Sequence, residues 1–328
     1  MSAALASGAV PRRSLLVALL AAPSRALAQD SWPGRPLRVV VPFAPGGSTD
    51  ILARILCQGL AERLRQQVVV DNRPGGATNV AAEHVVRSAA DGYTLLFGAA
   101  AMSVNPALLP FMPYDLLRDL EPISLVARTP LVLVVHPSVP ARTVAELLAL
   151  ARTRPEGLTY GSGGNGTVPH LATELLRSLS GAKLTHLPYR GQAQAMPDLL
   201  AGRLPMMLES LPPLLPPIRA GQLRALAVAE PERLAVLPEV PTLAEVGFPG
   251  FAAAAWNGLW APAGTSQAII ARINAEVVGV LAGADAARRF AELGAVPMAG
   301  PPAAMEAFIR AEMRRWAEVV RQSGARVD

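Results

Sequence analysis

The chain has 328 residues, of which 51% are hydrophobic and 17% charged, with a formal net charge of +5. Its one cysteine, Cys57, excludes an intramolecular disulfide and a multi-cysteine metal centre. The charge is too small to argue for a nucleic-acid partner.

Residues 1–28 read as an export leader. Arg12 and Arg13 precede an apolar run from Leu15 to Ala22, and Ala26, Leu27 and Ala28 form a small-residue cleavage site ahead of Gln29. The paired arginines fit either Sec or twin-arginine export. Removal of the leader's three arginines leaves a net charge of +2. Beyond it no apolar run reaches the roughly 18 to 20 residues that a membrane-spanning helix needs. About 300 remaining residues exceed one ordinary core, so two lobes are expected.

The first strand, Leu37 to Phe43, runs into a glycine loop, Ala44 to Asp50, and then an amphipathic helix from Ile51 that carries Cys57 as a small buried hydrophobe. Ser48, Thr49 or Asp50 could simply cap that helix. A cap alone leaves Gly46 and Gly47 unexplained, because glycines cost chain entropy. A carboxylate received by loop amides and hydroxyls explains them. Further along come a strand at Val68–Val70, a loop from Asn72 to Asn79, a helix at 77–89 and a strand at Thr94–Gly98 with Ser103 beyond its end. Continuous apolar strands alternating with helices predict parallel-rich α/β sheets covered on both faces.

Two longer extended segments, Ile123–Val135 and Phe251–Trp260, read as crossings between lobes. The first lobe then comprises residues 29–129 and 251–328, and the second, 130–250, is inserted between them. Its strand at Gly157–Tyr160 enters a second glycine loop, in which Gly161, Gly163 and Gly166 match GxGxxG before a helix containing His170. A dinucleotide fold also needs an acidic residue about 20 positions on, and Lys183–Tyr189 has none. Neither glycine loop carries the lysine of a P-loop. Tyr160 stands where a nucleophile elbow needs glycine, so Ser162 is better read as a hydroxyl donor. An exported hydrolase using Ser162, His170 and Glu209 is the enzymatic alternative. His170 and Glu174 lack further ligands at metal-binding spacing, so no metal is expected. Glu209, Ser210, Tyr189 and Ser103 sit where strand ends meet a cleft in open α/β sheets. The C-terminal part reads as helices at 266–281, 284–293 and 302–322.

The residues that follow carry a resemblance: Trp32–Arg38, Val41–Asp50, Asn72–Gly76, Asp91–Leu95, Tyr160–Thr167 with His170 and Leu171, His186–Tyr189, Gly221–Ala227 and Leu237–Thr242. Together they resemble the periplasmic receptors of tripartite tricarboxylate transporters, the Bug receptors, over nearly the whole chain after the leader. The resemblance implies a two-lobed type II periplasmic binding protein, monomeric, free of cofactors and without catalysis, that closes on a small organic carboxylate. It implies that one carboxylate is held by the loop Phe43, Ala44, Gly46, Gly47, Ser48, Thr49 and Asp50 and by the loop Ser162, Gly164, Asn165, Gly166 and Thr167. It also implies the small and large membrane subunits of a transporter as partners, with a ligand-gated sensor as the alternative use of the same cleft. Where relatives often carry Asp-Asn this chain has Glu209 and Ser210, and Val168 and Pro169 replace the polar residues often found before the histidine. The longer acid narrows the cleft or changes which ligand group meets that wall.

Overall fold

The computed structural model describes residues 32–323, and the expected leader falls outside them. β1 (Leu37–Val41) runs into α1 (Ser48–Leu64). β2 (Val68–Asn72) follows, then a 3-10 turn at Gly76–Thr78, α2 (Asn79–Val86), β3 (Thr94–Ala99) and α3 (Ala101–Leu108). The long β4 (Leu120–Val135) leads to α4 (Val144–Thr153), β5 (Leu158–Ser162), α5 (Val168–Ser180), β6 (Leu184–Pro188), α6 (Gln192–Leu200), β7 (Met206–Ser210), α7 (Leu215–Arg219) and β8 (Arg224–Val228). The chain ends with β9 (Ala254–Pro262), α8 (Gln267–Leu281), α9 (Ala284–Glu292), β10 (Val296–Pro297) and α10 (Pro302–Ser323).

The strands form two sheets that share β4. In the first, β2, β1 and β3 are parallel and β9 lies antiparallel between β3 and β4. In the second, β6, β5 and β7 are parallel and β4 lies antiparallel between β7 and β8. β4 pairs with β9 as far as Pro130 and with β7 from Leu131 onward, so the first crossing occurs inside one 16-residue strand. The return crossing is tied by Ala253 N, which donates to Ala229 O at 2.9 Å just before β9 re-enters the first sheet.

The inner parallel strands β1 and β3 are buried on both faces, as their unbroken apolar sequence requires: Val39, Val40, Val41, Leu95, Leu96 and Phe97 are fully buried. One apolar cluster fills the space between the first sheet, α1 and α8, and another lies under α6 and α7. The third cluster is continuous across both lobes, joining Val40 and Leu96 to Leu171 and Met206, with Met305, Ile309 and Trp316 of α10. Cys57 is buried on α1, and burial pushes its thiol up to about 12.

Helix starts follow local chemistry. Thr143 Oγ1 accepts from Glu146 N, and the Glu146 carboxylate accepts from Arg142 N, one residue before the cap, a variant of the capping box at α4. Ser266 caps α8, and Thr167 caps α5 with Pro169 in the first turn. The helix expected at 77–89 is shorter, because Ala77 and Thr78 adopt φ of 51° and 80° and α2 starts only at Asn79.

Within the core, Glu312 of α10 accepts from the indole nitrogens of Trp256 at 2.9 Å and Trp316 at 3.0 Å. Glu312→Ala should leave both buried donors unpaired and cost about 2–4 kcal/mol, measured as a fall in the urea midpoint at unchanged m-value.

Candidate functional site

The loop after β1 delivers its amides to the start of α1. Gly47 is the N-cap and no side chain caps the helix. Gly46, at φ 87°, turns the loop so that its amide donates back to Asp50 Oδ2 at 2.9 Å. The same carboxylate accepts from Arg54 Nε at 2.9 Å and Asn72 Nδ2 at 2.9 Å, and Asn72 also reaches Phe43 O. Burial works to raise the Asp50 carboxyl, but hydrogen bonds from Arg54, Gly46 and Asn72 outweigh it and hold it below the usual range. Asp50 is therefore the internal brace of the loop. Among the described residues, no group accepts from the amides of Thr49 and Asp50.

The loop after β5 is braced by aromatic rings. His186 stacks between Tyr160 and His170, with ring centroids 4.9 and 4.1 Å away. Its Nε2 lies 2.7 Å from Ser162 Oγ, which also accepts from Gly164 N at 3.1 Å. His170 Nδ1 accepts from Gly166 N at 3.3 Å. Burial, reinforced by His170, drives the His186 ring down to about 3, so it is neutral. Burial lowers His170 as well. Thr167 Oγ1 donates to Gly164 O at 2.7 Å and closes the turn.

The two loops face each other across an inner cavity of about 50 Å³. Its first-lobe wall includes Phe43, Gly47, Ser48, Thr49, Ala99–Ala101 and Ala255–Asn257. Its second-lobe wall is Gly163, Thr167–Pro169, Gln192, Glu209 and Ser210. Phe43, Gly163 and Thr167 also line an outer cavity of about 510 Å³, whose rim includes Gly75–Asn79, Gly164, Asn165, Tyr189 and Arg190. Gln192 spans the lobes: its Oε1 accepts from Ser48 N at 3.3 Å and its Nε2 donates to Ser210 O at 2.6 Å. Glu209, only 3% exposed, accepts from Gly163 N at 3.0 Å and Ser210 N at 2.8 Å. Burial nevertheless pushes its carboxyl up to about 7.

Of the residues expected at the site, Phe43, Gly47, Ser48, Thr49, Thr167, Glu209 and Ser210 line the inner cavity. Gly164, Asn165 and Tyr189 line the outer one, where Tyr189 is anchored by its hydroxyl to Asp198 at 2.8 Å. Ala44, Gly46, Asp50, Ser103, Ser162, Gly166 and His170 line neither. Asp50, Ser162 and His170 brace the loops, and Ser103 Oγ donates to Ala100 O at 2.6 Å. The residues considered for acyl transfer form no relay, since Ser162 meets His186, His170 meets the Gly166 amide, and Glu209 meets two amides. Sequence reasoning missed Gln192, Trp256, Asn257 and Ala99–Ala101. Asn257 had a signal, a lone amide in an apolar crossing strand; it donates to Gly98 O at 3.1 Å and Thr49 Oγ1 at 3.4 Å.

Residues 52–325 match the model of the "Tripartite tricarboxylate transporter family receptor" family. The chain is 40% identical to protein BugT of Bordetella pertussis over 300 residues, covering 91% of this chain and 92% of that protein. Among solved structures, it is similar to an R. palustris protein with adipate, at 38% identity and a TM-score of 0.88, over 90% of this chain and all of that one. It is also similar to MatC from Rhodopseudomonas palustris with bound malate, at 32% identity and a TM-score of 0.83, over 88% and 99% of the two chains.

The raised Glu209 carboxyl predicts a pH dependence of stability. A folded-state value of about 7 against the ordinary 4.5 means that the folded chain holds the proton more tightly. Its contribution is complete below about pH 4.5 and is lost as pH rises through about 7, a change on the order of 3 kcal/mol. Urea midpoints of the ligand-free protein should fall over that window, and Glu209→Gln should flatten the slope.

Proposed function

This chain belongs to the tripartite tricarboxylate transporter receptor family, and we propose that it is an exported periplasmic receptor that closes on a small organic carboxylate. The observation that carries this reading is the meeting of two glycine loops, each opening a helix, across a cavity with no lysine, arginine or histidine in its lining. Helix N-termini attract anions through unpaired amides and the helix dipole, so a carboxylate is the group such a cavity receives.

In this reading residues 29–129 with 251–328 form one lobe and 130–250 the other. β4 and the segment at 251–260 serve as the hinge, and ligand capture brings the glycine loops together. The leader at residues 1–28 directs Sec or twin-arginine export. The receptor acts as a monomer without a cofactor and hands its ligand to small and large membrane subunits of a transporter. Adipate and malate, bound by the two relatives, set the expected size of the ligand.

A thermal-shift screen of mono-, di- and tricarboxylates tests the reading. A micromolar binder at millimolar concentration should add about 4 kcal/mol of stability, and a full screen in which no carboxylate raises Tm would overturn it. Small-angle scattering should give a smaller radius of gyration with the ligand than without it. Thr49→Val, which removes a cavity hydroxyl while keeping the side chain's shape, should weaken binding about tenfold by calorimetry.

A further inference from the structure

Six acids are buried in the described residues: Asp50, Glu174, Glu209, Glu230, Glu276 and Glu312. Five of them have an arginine. Arg54 meets Asp50, Arg177 meets Glu174, Arg128 meets Glu230, Arg63 and Arg272 meet Glu276, and Arg315 meets Glu312. Glu209 has no arginine: it is met by the amides of Gly163 and Ser210, one on each oxygen, and by the Ser210 side chain. It lies at the end of β7 and lines the inner cavity, where no other lining residue is titratable. Asp50 and Arg54 lie behind the first glycine loop, and His170 and His186 behind the second.

A buried carboxyl without a cation is costly, and the cost is recovered when a partner of opposite charge enters. Glu209 also takes the Gly163 amide, the first donor that the second glycine loop would offer an anion. A ligand carboxylate placed there would meet an acid in place of a donor. On the opposite wall, the α1 amide of Thr49 has no acceptor among the described residues. The inner cavity is thus polarised, with an anion-receiving amide on one side and an acid on the other.

We propose that the ligand is an amino-carboxylate zwitterion, its carboxylate on the α1 side of the inner cavity and its ammonium at Glu209 and Ser210. This rests on the carboxylate-receptor reading above and narrows its ligand class. Any remaining part of the ligand extends past Phe43 and Thr167 into the outer cavity.

Calorimetry on the mature protein decides it, with the proteinogenic and common ω-amino acids run against their des-amino counterparts, such as glutamate against glutarate and 4-aminobutyrate against butyrate. An amino member should bind at least about tenfold tighter than its counterpart. It should also release protons at pH 6.5, read from buffers of different ionisation enthalpy, because an ammonium ionises the Glu209 carboxyl. Glu209→Gln should remove most of that preference and the proton release with it. Equal or tighter binding of the des-amino members, or proton uptake on binding, would overturn the proposal and leave the receptor reading standing. The proton count is read on the unmodified protein, so it decides even if the variant does not fold. Failure of every compound in both series would sink the receptor reading itself.

Discussion

A helix that begins without a side-chain cap leaves its first amides to be satisfied from elsewhere, and the start of α1 is built around that deficit. Gly47 stands at the N-cap, where serine or aspartate would otherwise close the helix on itself. Asp50 has the right chemistry for a cap and is turned to a different task. It draws the Gly46 amide, Arg54 and Asn72 together, and Asn72 in turn holds the Phe43 carbonyl. The loop is fixed from behind, so its front can stay open without becoming mobile. Pre-organised amides of this kind bind an anion without a further ordering cost.

The second loop meets the same requirement with different material. Three stacked rings, Tyr160, His186 and His170, lie beneath it and supply nitrogens to Ser162 and Gly166. The rings are kept neutral by burial, so they position the loop without adding charge to the cleft. Gln192 then links the two lobes by bonding Ser48 N with one end of its amide and Ser210 O with the other. Its oxygen sits on a first-turn amide of α1, so a ligand that binds there and Gln192 draw on the same donors. Behind the cleft, β4 passes from one sheet to the other and α10 packs on a core common to both lobes.

The sequence made the two strand–loop–helix units legible because each places glycines between a continuous apolar strand and a helix of clear period. Both crossings were legible as unusually long extended runs. Three helices were not read. α3 and α6 contain Pro106 and Pro197, which argue locally against a helix, and tertiary packing overrides them. α4 carried a readable capping box in Thr143 and Glu146. The roles of Asp50 and His170 could not be separated from ligand contact by spacing alone, because a residue in the first helical turn can face either the loop or the cleft. Gln192 lies 144 residues from its partner Ser48, so no local pattern connects them.

The absence of any fixed cation in the inner cavity has a consequence for selectivity. An arginine attracts every anion within a Debye length, whereas amides at a helix start reward only an acceptor in the right place. Affinity built on amides therefore depends on shape and on the rest of the ligand. If the ligand is the zwitterion proposed above, Glu209 would discriminate by repulsion as much as by attraction, since a second carboxylate would meet an acid with no counter-charge nearby. The Arg-backed acids elsewhere in the core provide the contrast. Glu312 is held by an arginine and two indoles and can serve packing alone. Glu209 is left without a cation, and natural proteins break their own rules of charge pairing chiefly where function requires it.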